Sequence, residues 1–177
     1  MKYRSMAWLA LMFVPLSILA AERPMLTVSE AMEIKAPPAD VWRIVKSFDG
    51  IAAWIPLVEK CALVEGANGK VGAVRAAQLK IGMLVHEELV AYREDDMTFS
   101  YALLPSAFPV DGYVATTSVR PNHDRTGSIV MWTSTFRRKN FSANPPEAES
   151  DAGLIKALSG IYLESMGVVK KMAEKNP

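Results

Sequence analysis

The feature that most constrains the fold is a series of short extended runs, separated at close intervals by turn sequences, between residues 57 and 138. Antiparallel neighbours need only a few residues between them, so closely spaced turns are typical of a meander. A further run, residues 27–35, alternates apolar and polar side chains and predicts one more strand. We expect a sheet of about seven strands, six of them at residues 57–65, 70–79, 83–93, 97–104, 113–120 and 126–138.

Two helices are predicted, one before the meander and one after it. Pro38 and Asp40 begin a short amphipathic helix, because proline and an acidic residue both suit a first helical turn. Residues 147–175 contain no proline, and apolar side chains recur there at steps of three and four, which predicts a long amphipathic helix. An antiparallel sheet must cover its apolar face. The sequence therefore predicts an α+β fold in which a curved sheet wraps round the C-terminal helix, a geometry that favours a ligand cavity.

The start of the chain has the pattern of a secretory signal peptide. Two basic residues precede an apolar stretch at residues 6–19, and two alanines follow before Glu22. This order is that of a cleavable signal, and the stretch is shorter than the roughly 20 residues of a membrane span. An uncleaved N-terminal anchor is the alternative. We expect a signal peptide at residues 1–21 and one domain at residues 22–177, periplasmic or secreted and without a stable membrane anchor in the mature form.

Charge and composition exclude several classes of function. The chain has 20 Lys and Arg against 19 Asp and Glu, so it lacks the basic excess of a nucleic-acid-binding protein. A single cysteine, Cys61, excludes an internal disulfide framework and a multi-cysteine zinc site. No serine or cysteine triad and no phosphate-binding loop is evident. We therefore expect no metal, no other cofactor and no nucleic-acid partner.

Glu87 is the main candidate for chemistry. It shares strand parity with Val85 and Leu89, so its side chain is expected to face the concave side of the sheet. A carboxylate in an apolar cavity has a raised pKa and could act as an acid, a base or a ligand anchor. Two alternatives remain, an ion pair with an inward Arg75 and a solvated position at the rim.

Aromatic and small side chains at inward positions complete the predicted lining of the cavity. Tyr101 and Tyr113 each combine an apolar ring with a polar tip, and Tyr113 is the candidate partner of Glu87 in acid–base catalysis. The alternative is that these aromatic residues simply form the core. The predicted ligand-binding residues are Trp54, Glu87, Tyr101, Tyr113, Trp132, Ser134, Leu158, Ile161 and Ser165.

Several short stretches, in order along residues 28–172, resemble the START-like superfamily, also called SRPBCC. Within it, they are most similar to the small polyketide cyclase/dehydratase-like proteins. The resemblance implies a helix-grip fold with an internal cavity, but this fold hosts binding proteins, cyclases and transfer proteins alike. The stretches are IKAPPADVW at 34–42, FDGIAAWIP at 48–56, GAVR at 72–75, EEL at 87–89, SY at 100–101, YVAT at 113–116 and WTSTF at 132–136.

One position departs from the pattern of these relatives. Many of them carry a histidine where this chain has Ile55, and the plant hormone receptors of the superfamily have a lysine there that holds the carboxylate of the ligand. The departure argues against the same acidic ligand in the same pose. Glu87 and Tyr113 do match pocket positions of those receptors.

The leading hypothesis is non-covalent binding of an apolar or amphipathic small molecule by an exported protein. A cyclase, dehydratase or isomerase that uses Glu87 with Tyr101 or Tyr113 is one alternative. We lean against an enzyme, because the candidate residues are one carboxylate and tyrosines, without the histidine, lysine or metal that would usually assist such a reaction. A second alternative comes from resemblance to exported relatives that assist methanol oxidation. It is that the chain is an accessory protein for a periplasmic oxidoreductase such as methanol dehydrogenase.

Overall fold

The computed structural model describes residues 24–175. The predicted signal peptide lies outside the described residues. The two α-helices are α1 (Pro38–Val45) and α2 (Asp151–Glu174), with 3₁₀ turns at Gly50–Ala53 and Glu147–Glu149. The seven strands are β1 (Leu26–Ile34), β2 (Val58–Glu65), β3 (Val74–Leu79), β4 (Leu84–Arg93), β5 (Thr98–Leu103), β6 (Val110–Pro121) and β7 (Ser128–Arg138).

The strands form one antiparallel sheet in the order β1-β7-β6-β5-β4-β3-β2. Consecutive strands from β2 to β7 are neighbours, so the predicted meander is confirmed. The first strand pairs with the last, with residues 26–34 of β1 opposite residues 128–136 of β7. Together with the long helix α2, this is the helix-grip fold that the family resemblance implied.

The connection between β2 and β3 is fastened to the segment that follows α1. Gly66 and Gly69 have φ angles of 73° and 71°, a left-handed conformation that favours glycine. Between them, the side-chain carbonyl of Asn68 accepts hydrogen bonds from the backbone N–H of Phe48, at 2.8 Å, and of Asp49, at 3.3 Å. The Asn68 amide also donates to the Asp49 carboxylate, which lowers the pKa of that carboxyl. These bonds fix the backbone beside the cavity described below.

Helix α2 begins later than its apolar pattern predicted. Residues 147–149 form a 3₁₀ turn, and Ser150 is extended and caps the helix by accepting a hydrogen bond from the backbone N–H of Gly153 at 3.0 Å. Ile155, one of the apolar residues of that pattern, is 37% exposed. Steps of three and four predict a broad apolar side but do not fix how the helix is rotated against the sheet. The buried side carries Leu154, Leu158, Tyr162, Ser165, Met166, Val169 and Ala173.

Polar contacts hold α2 against the edge strand β1. The Ser159 hydroxyl donates to the Glu30 carboxylate at 2.5 Å, and the Lys170 ammonium donates to the Glu33 carbonyl at 2.9 Å. By length and composition alone, α2 could cross a membrane. In the structure it instead covers the concave face of the sheet, and a partly open space remains between the helix and the central strands.

Candidate functional site

A cavity of about 80 Å³ lies between the concave face of the sheet and α2. Its wall is mostly apolar and includes Ile55, Ala77, Val85, Leu103 and Phe108. Pockets for drug-sized ligands measure about 300–1,000 Å³. As it stands, this cavity therefore admits only a very small molecule.

The charged part of the wall is one ion pair between neighbouring strands. Arg75 of β3 lies directly opposite Glu87 of β4 in the sheet register, and the Arg75 Nε donates to the Glu87 Oε2 at 2.7 Å. Arg75 is 1% exposed, and its Nη1 also donates to the Phe48 carbonyl at 2.7 Å. Its guanidinium carbon lies 4.2 Å from the ring centroid of Phe48 and 4.7 Å from that of Tyr101. The two aromatic rings and the carboxylate together take the place of water around this cation.

The surroundings of Arg75 keep it charged. Burial has the largest single effect and lowers the pKa of the guanidinium, but the Glu87 carboxylate, with smaller contributions from Tyr101 and Cys61, raises it, and the net shift is upward. Of the arrangements considered for Glu87, the ion pair with an inward Arg75 is the one present. Glu87 nevertheless still faces the cavity, with a side chain that is 13% exposed.

The remaining polar groups at the cavity are joined by hydrogen bonds across the sheet and to α2. The Tyr162 hydroxyl donates to the Ser134 Oγ at 2.7 Å and lies 2.6 Å from the Tyr113 hydroxyl. Because a hydroxyl has one hydrogen, Tyr113 is the donor to Tyr162. The Trp132 indole donates to the Tyr101 hydroxyl at 3.1 Å, and its ring stacks on Tyr162 with centroids 4.2 Å apart.

These tyrosines stay neutral at physiological pH. Burial raises the pKa of Tyr101 and of Tyr113 well above 10, and it raises the pKa of Tyr162 to about 12. An efficient general acid or base has a pKa near the working pH. The hydroxyls are therefore suited to hydrogen bonding and poorly suited to proton transfer, and this includes Tyr113.

Most of the predicted lining residues meet at this cavity. The side chains from the strands come from inward positions of β4, β5, β6 and β7, as strand parity predicted, and those from α2 come from one side of the helix. The predicted residues on the wall are Glu87, Tyr101, Tyr113, Trp132, Leu158 and Ile161.

Three predicted lining residues are buried beside the cavity and do not form its wall. Trp54 packs against Trp132 with ring centroids 5.6 Å apart, and its indole nitrogen is buried without a hydrogen-bond partner among the described residues. Ser134 faces inward as predicted but is covered by the Tyr162 hydroxyl. The Ser165 hydroxyl donates to the Ile161 carbonyl, one turn earlier in α2, at 2.6 Å. None of the three side chains is therefore placed to contact a ligand within the cavity as it stands.

The sequence reasoning missed several residues of the wall. Arg75 was considered only as a partner of Glu87, and Tyr162 was not among the predicted lining residues. Strand parity in β3 could have identified Ala77 and Leu79, which alternate with half-buried residues. No sequence pattern marks Phe108, because it lies in the connection between β5 and β6.

Neither an activated cysteine nor a cluster of metal ligands is present outside the cavity, among residues 24–175. Cys61 is half-buried on β2, and burial raises the pKa of its thiol to about 11, which makes it a poor nucleophile at neutral pH. In the same range, no group of three or more His, Cys, Asp or Glu side chains could hold a metal ion.

Comparisons with known proteins agree with the architecture. The sequence pattern of a family described as polyketide cyclase/dehydrase and lipid transport matches residues 25–174. Among solved structures, the protein XoxI from Bacillus cereus is similar, with a TM-score of 0.72, 24% identity, and coverage of 84% of this chain and 95% of that one. A Thermobifida fusca protein has a TM-score of 0.68, 25% identity, and coverage of 84% and 93%.

A plant protein has the same fold at lower identity. The major latex-like protein 151 from Panax ginseng has a TM-score of 0.67 and 18% identity, with coverage of 84% of this chain and 97% of that one. At this level of identity, the likeness concerns the fold alone. The helix-grip architecture thus recurs in bacteria and plants.

Proposed function

This chain belongs to the polyketide cyclase/dehydrase and lipid transport family, and on that premise we propose that it binds a small apolar or amphipathic molecule non-covalently between the sheet and α2. One observation carries the proposal. The concave face is not packed solidly but leaves an apolar cavity whose polar groups are an ion pair and a few hydroxyls. Apolar lining with a few placed polar groups is typical of ligand sites.

The same geometry favours binding over acid–base catalysis. The Glu87 carboxylate is already paired with a buried cation, and the tyrosines beside it have raised pKa values. A cyclase or dehydratase would need Glu87 to gain and lose a proton during turnover, and a protonated Glu87 would no longer form the ion pair with Arg75. The catalytic roles of Glu87 and Tyr113 therefore stay as the alternative prediction.

The size of the cavity limits the ligand. A dry apolar cavity of about 150 Å³ holds benzene, so a cavity of about 80 Å³ accepts a smaller molecule without rearrangement. A larger ligand has to displace side chains of the wall. This small volume also favours a second candidate function, in which the exported protein assists a periplasmic oxidoreductase through its surface and the cavity carries no ligand.

Filling the cavity is expected to weaken ligand binding. Ala77 is buried on the wall, and Ala77→Leu adds three carbon atoms to the space that a ligand would occupy. We expect 2-butanone, titrated into the wild type and followed by NMR chemical shifts, to perturb residues of the wall, and the variant to bind it at least about tenfold more weakly, a difference of 1.4 kcal/mol. Native mass spectrometry of protein purified from its own host would identify any larger molecule that co-purifies.

The matched control is Ala62→Leu, which makes the same change at an exposed position of β2. It is expected to bind like the wild type. Unchanged binding by Ala77→Leu would place the ligand elsewhere and refute the cavity as the site. Absence of any bound molecule in both experiments would favour the accessory role.

Export of the protein remains part of the proposal and is tested at its N-terminus. Because basic, apolar and small residues follow one another before Glu22, we expect the mature chain to begin at Ala21 or Glu22. N-terminal sequencing of protein from the periplasmic fraction measures this directly. Membrane-bound material that begins at Met1 would instead support the uncleaved anchor and remove the periplasmic assignment.

A further inference from the structure

We propose that the Arg75–Glu87 pair makes this cavity selective for neutral ligands that accept hydrogen bonds, and that Glu87 is the residue that excludes carboxylates. The inference rests on the proposed function, since it concerns the ligand of the same cavity. It assigns Glu87 a role in specificity in place of the acid–base role considered from the sequence.

The first step is the charge balance of the wall. Arg75 and Glu87 are the only charged residues among the described residues that line the cavity, and their closest atoms are 2.7 Å apart. Their charges cancel, and the other polar groups of the wall are neutral tyrosine hydroxyls and an indole. A ligand carboxylate would add a second negative charge against one cation. Burying an unpaired charge is strongly unfavourable, whereas a neutral ligand avoids this penalty.

The second step is the supply of hydrogen-bond donors. A guanidinium has five N–H groups, and within residues 24–175 only two of those of Arg75 have protein acceptors, on Glu87 and on Phe48. The Tyr101 hydroxyl is already engaged, since it accepts a bond from the Trp132 indole and is hydrogen-bonded to the Tyr113 hydroxyl, so the free donors are those of Arg75. The polar end of the cavity therefore offers donors, which suit the oxygen of a ketone, an aldehyde, an ester or an alcohol.

The third step is what Glu87 contributes. Glu87→Gln keeps the length of the side chain and its ability to accept a bond from Arg75, but it removes the negative charge. Arg75 then becomes an uncompensated buried cation with free donors, which is the environment that binds a carboxylate. The variant is therefore expected to reverse the preference of the cavity.

The experiment compares 2-butanone with butanoate, which have the same number of carbon atoms but differ in charge. Each is titrated at neutral pH into the wild type and into Glu87→Gln, and the NMR shifts of residues on the wall report binding. We expect the wild type to bind 2-butanone at least about tenfold more tightly than butanoate, and Glu87→Gln to gain at least about tenfold for butanoate, each factor corresponding to 1.4 kcal/mol. Glu88→Gln is the matched control, because it makes the same charge change at the next position of β4, outside the cavity wall.

The wild-type comparison tests the inference even if Glu87→Gln does not fold. Equal or tighter binding of butanoate by the wild type overturns the selectivity while leaving the proposed function intact. A Glu87→Gln protein that keeps the wild-type preference, or a Glu88→Gln protein that reverses it as well, overturns the assignment to Glu87. Binding of neither molecule by the wild type contradicts the proposed function itself, and the inference fails with it.

Discussion

Replacement of Arg75 by methionine is expected to lower the free energy of unfolding by about 3–5 kcal/mol, the range for breaking a buried ion pair from one side. The guanidinium is 1% exposed and bonds both the Glu87 carboxylate and the Phe48 carbonyl. Methionine fills part of the volume but leaves a carboxylate and a carbonyl without their donor. Urea denaturation of wild type and variant measures the difference.

Two further variants separate charge from packing. Arg93→Met removes an arginine whose pair with Asp96 is exposed, with side chains 64% and 63% accessible, so we expect a change of at most about 1 kcal/mol. Adding Glu87→Leu to Arg75→Met removes the unpaired carboxylate and is expected to restore most of the stability, because a buried pair can often be replaced by apolar residues. If Arg75→Met lowered the free energy of unfolding by less than about 1 kcal/mol, water would have access to the ion pair. The charge argument for ligand selectivity would then fail.

Removal of the Trp132 side chain is expected to lower the free energy of unfolding by a similar amount and to create a binding site for benzene. Trp132→Ala is expected to cost about 3–5 kcal/mol, as for other buried aromatic residues, because the ring stacks on Tyr162, contacts Trp54 and bonds the Tyr101 hydroxyl. Since Trp132 lines the cavity, the vacated space joins it. We expect the variant to bind benzene and the wild type not to, as measured by the rise of the melting temperature with benzene.

The control is Leu163→Ala on the outer side of α2, where the side chain is 40% exposed. We expect it to lose much less stability than Trp132→Ala and to gain no benzene binding. If Trp132→Ala were destabilised without any response to benzene, the wall would have collapsed into the vacated space. The volume of the cavity would then depend on side chains that repack, and not on a rigid backbone.

The fold followed from local signals that are physically independent of one another. Turn residues such as Gly66 and Gly69 adopt backbone angles that few other residues tolerate, so they mark the end of a strand. Alternation along β7 assigned its inward face, and apolar steps of three and four identified α2. Each signal depends on a few neighbouring residues, which is why a single sequence sufficed.

The site was less predictable, because it depends on contacts between distant elements. The parity of Glu87 gave its direction, but whether it meets Arg75 or solvent depends on the register of β3 against β4. The bond from Tyr162 to Ser134 requires a particular rotation of α2, which its periodicity leaves open. The volume of the cavity depends on how side chains such as Phe108 pack, and no local pattern encodes that.

The pairing of the first strand with the last has a consequence for how the chain acquires its structure. Because β7 is the only strand that pairs with β1 within residues 24–175, the apolar side of β1 cannot be sheltered until nearly all of the domain has been made. Contacts between ends so far apart in sequence are slow to form, since a long loop must close first. A chain interrupted before residue 128 therefore lacks both the partner strand and the helix α2, and it remains an open substrate for chaperones and proteases.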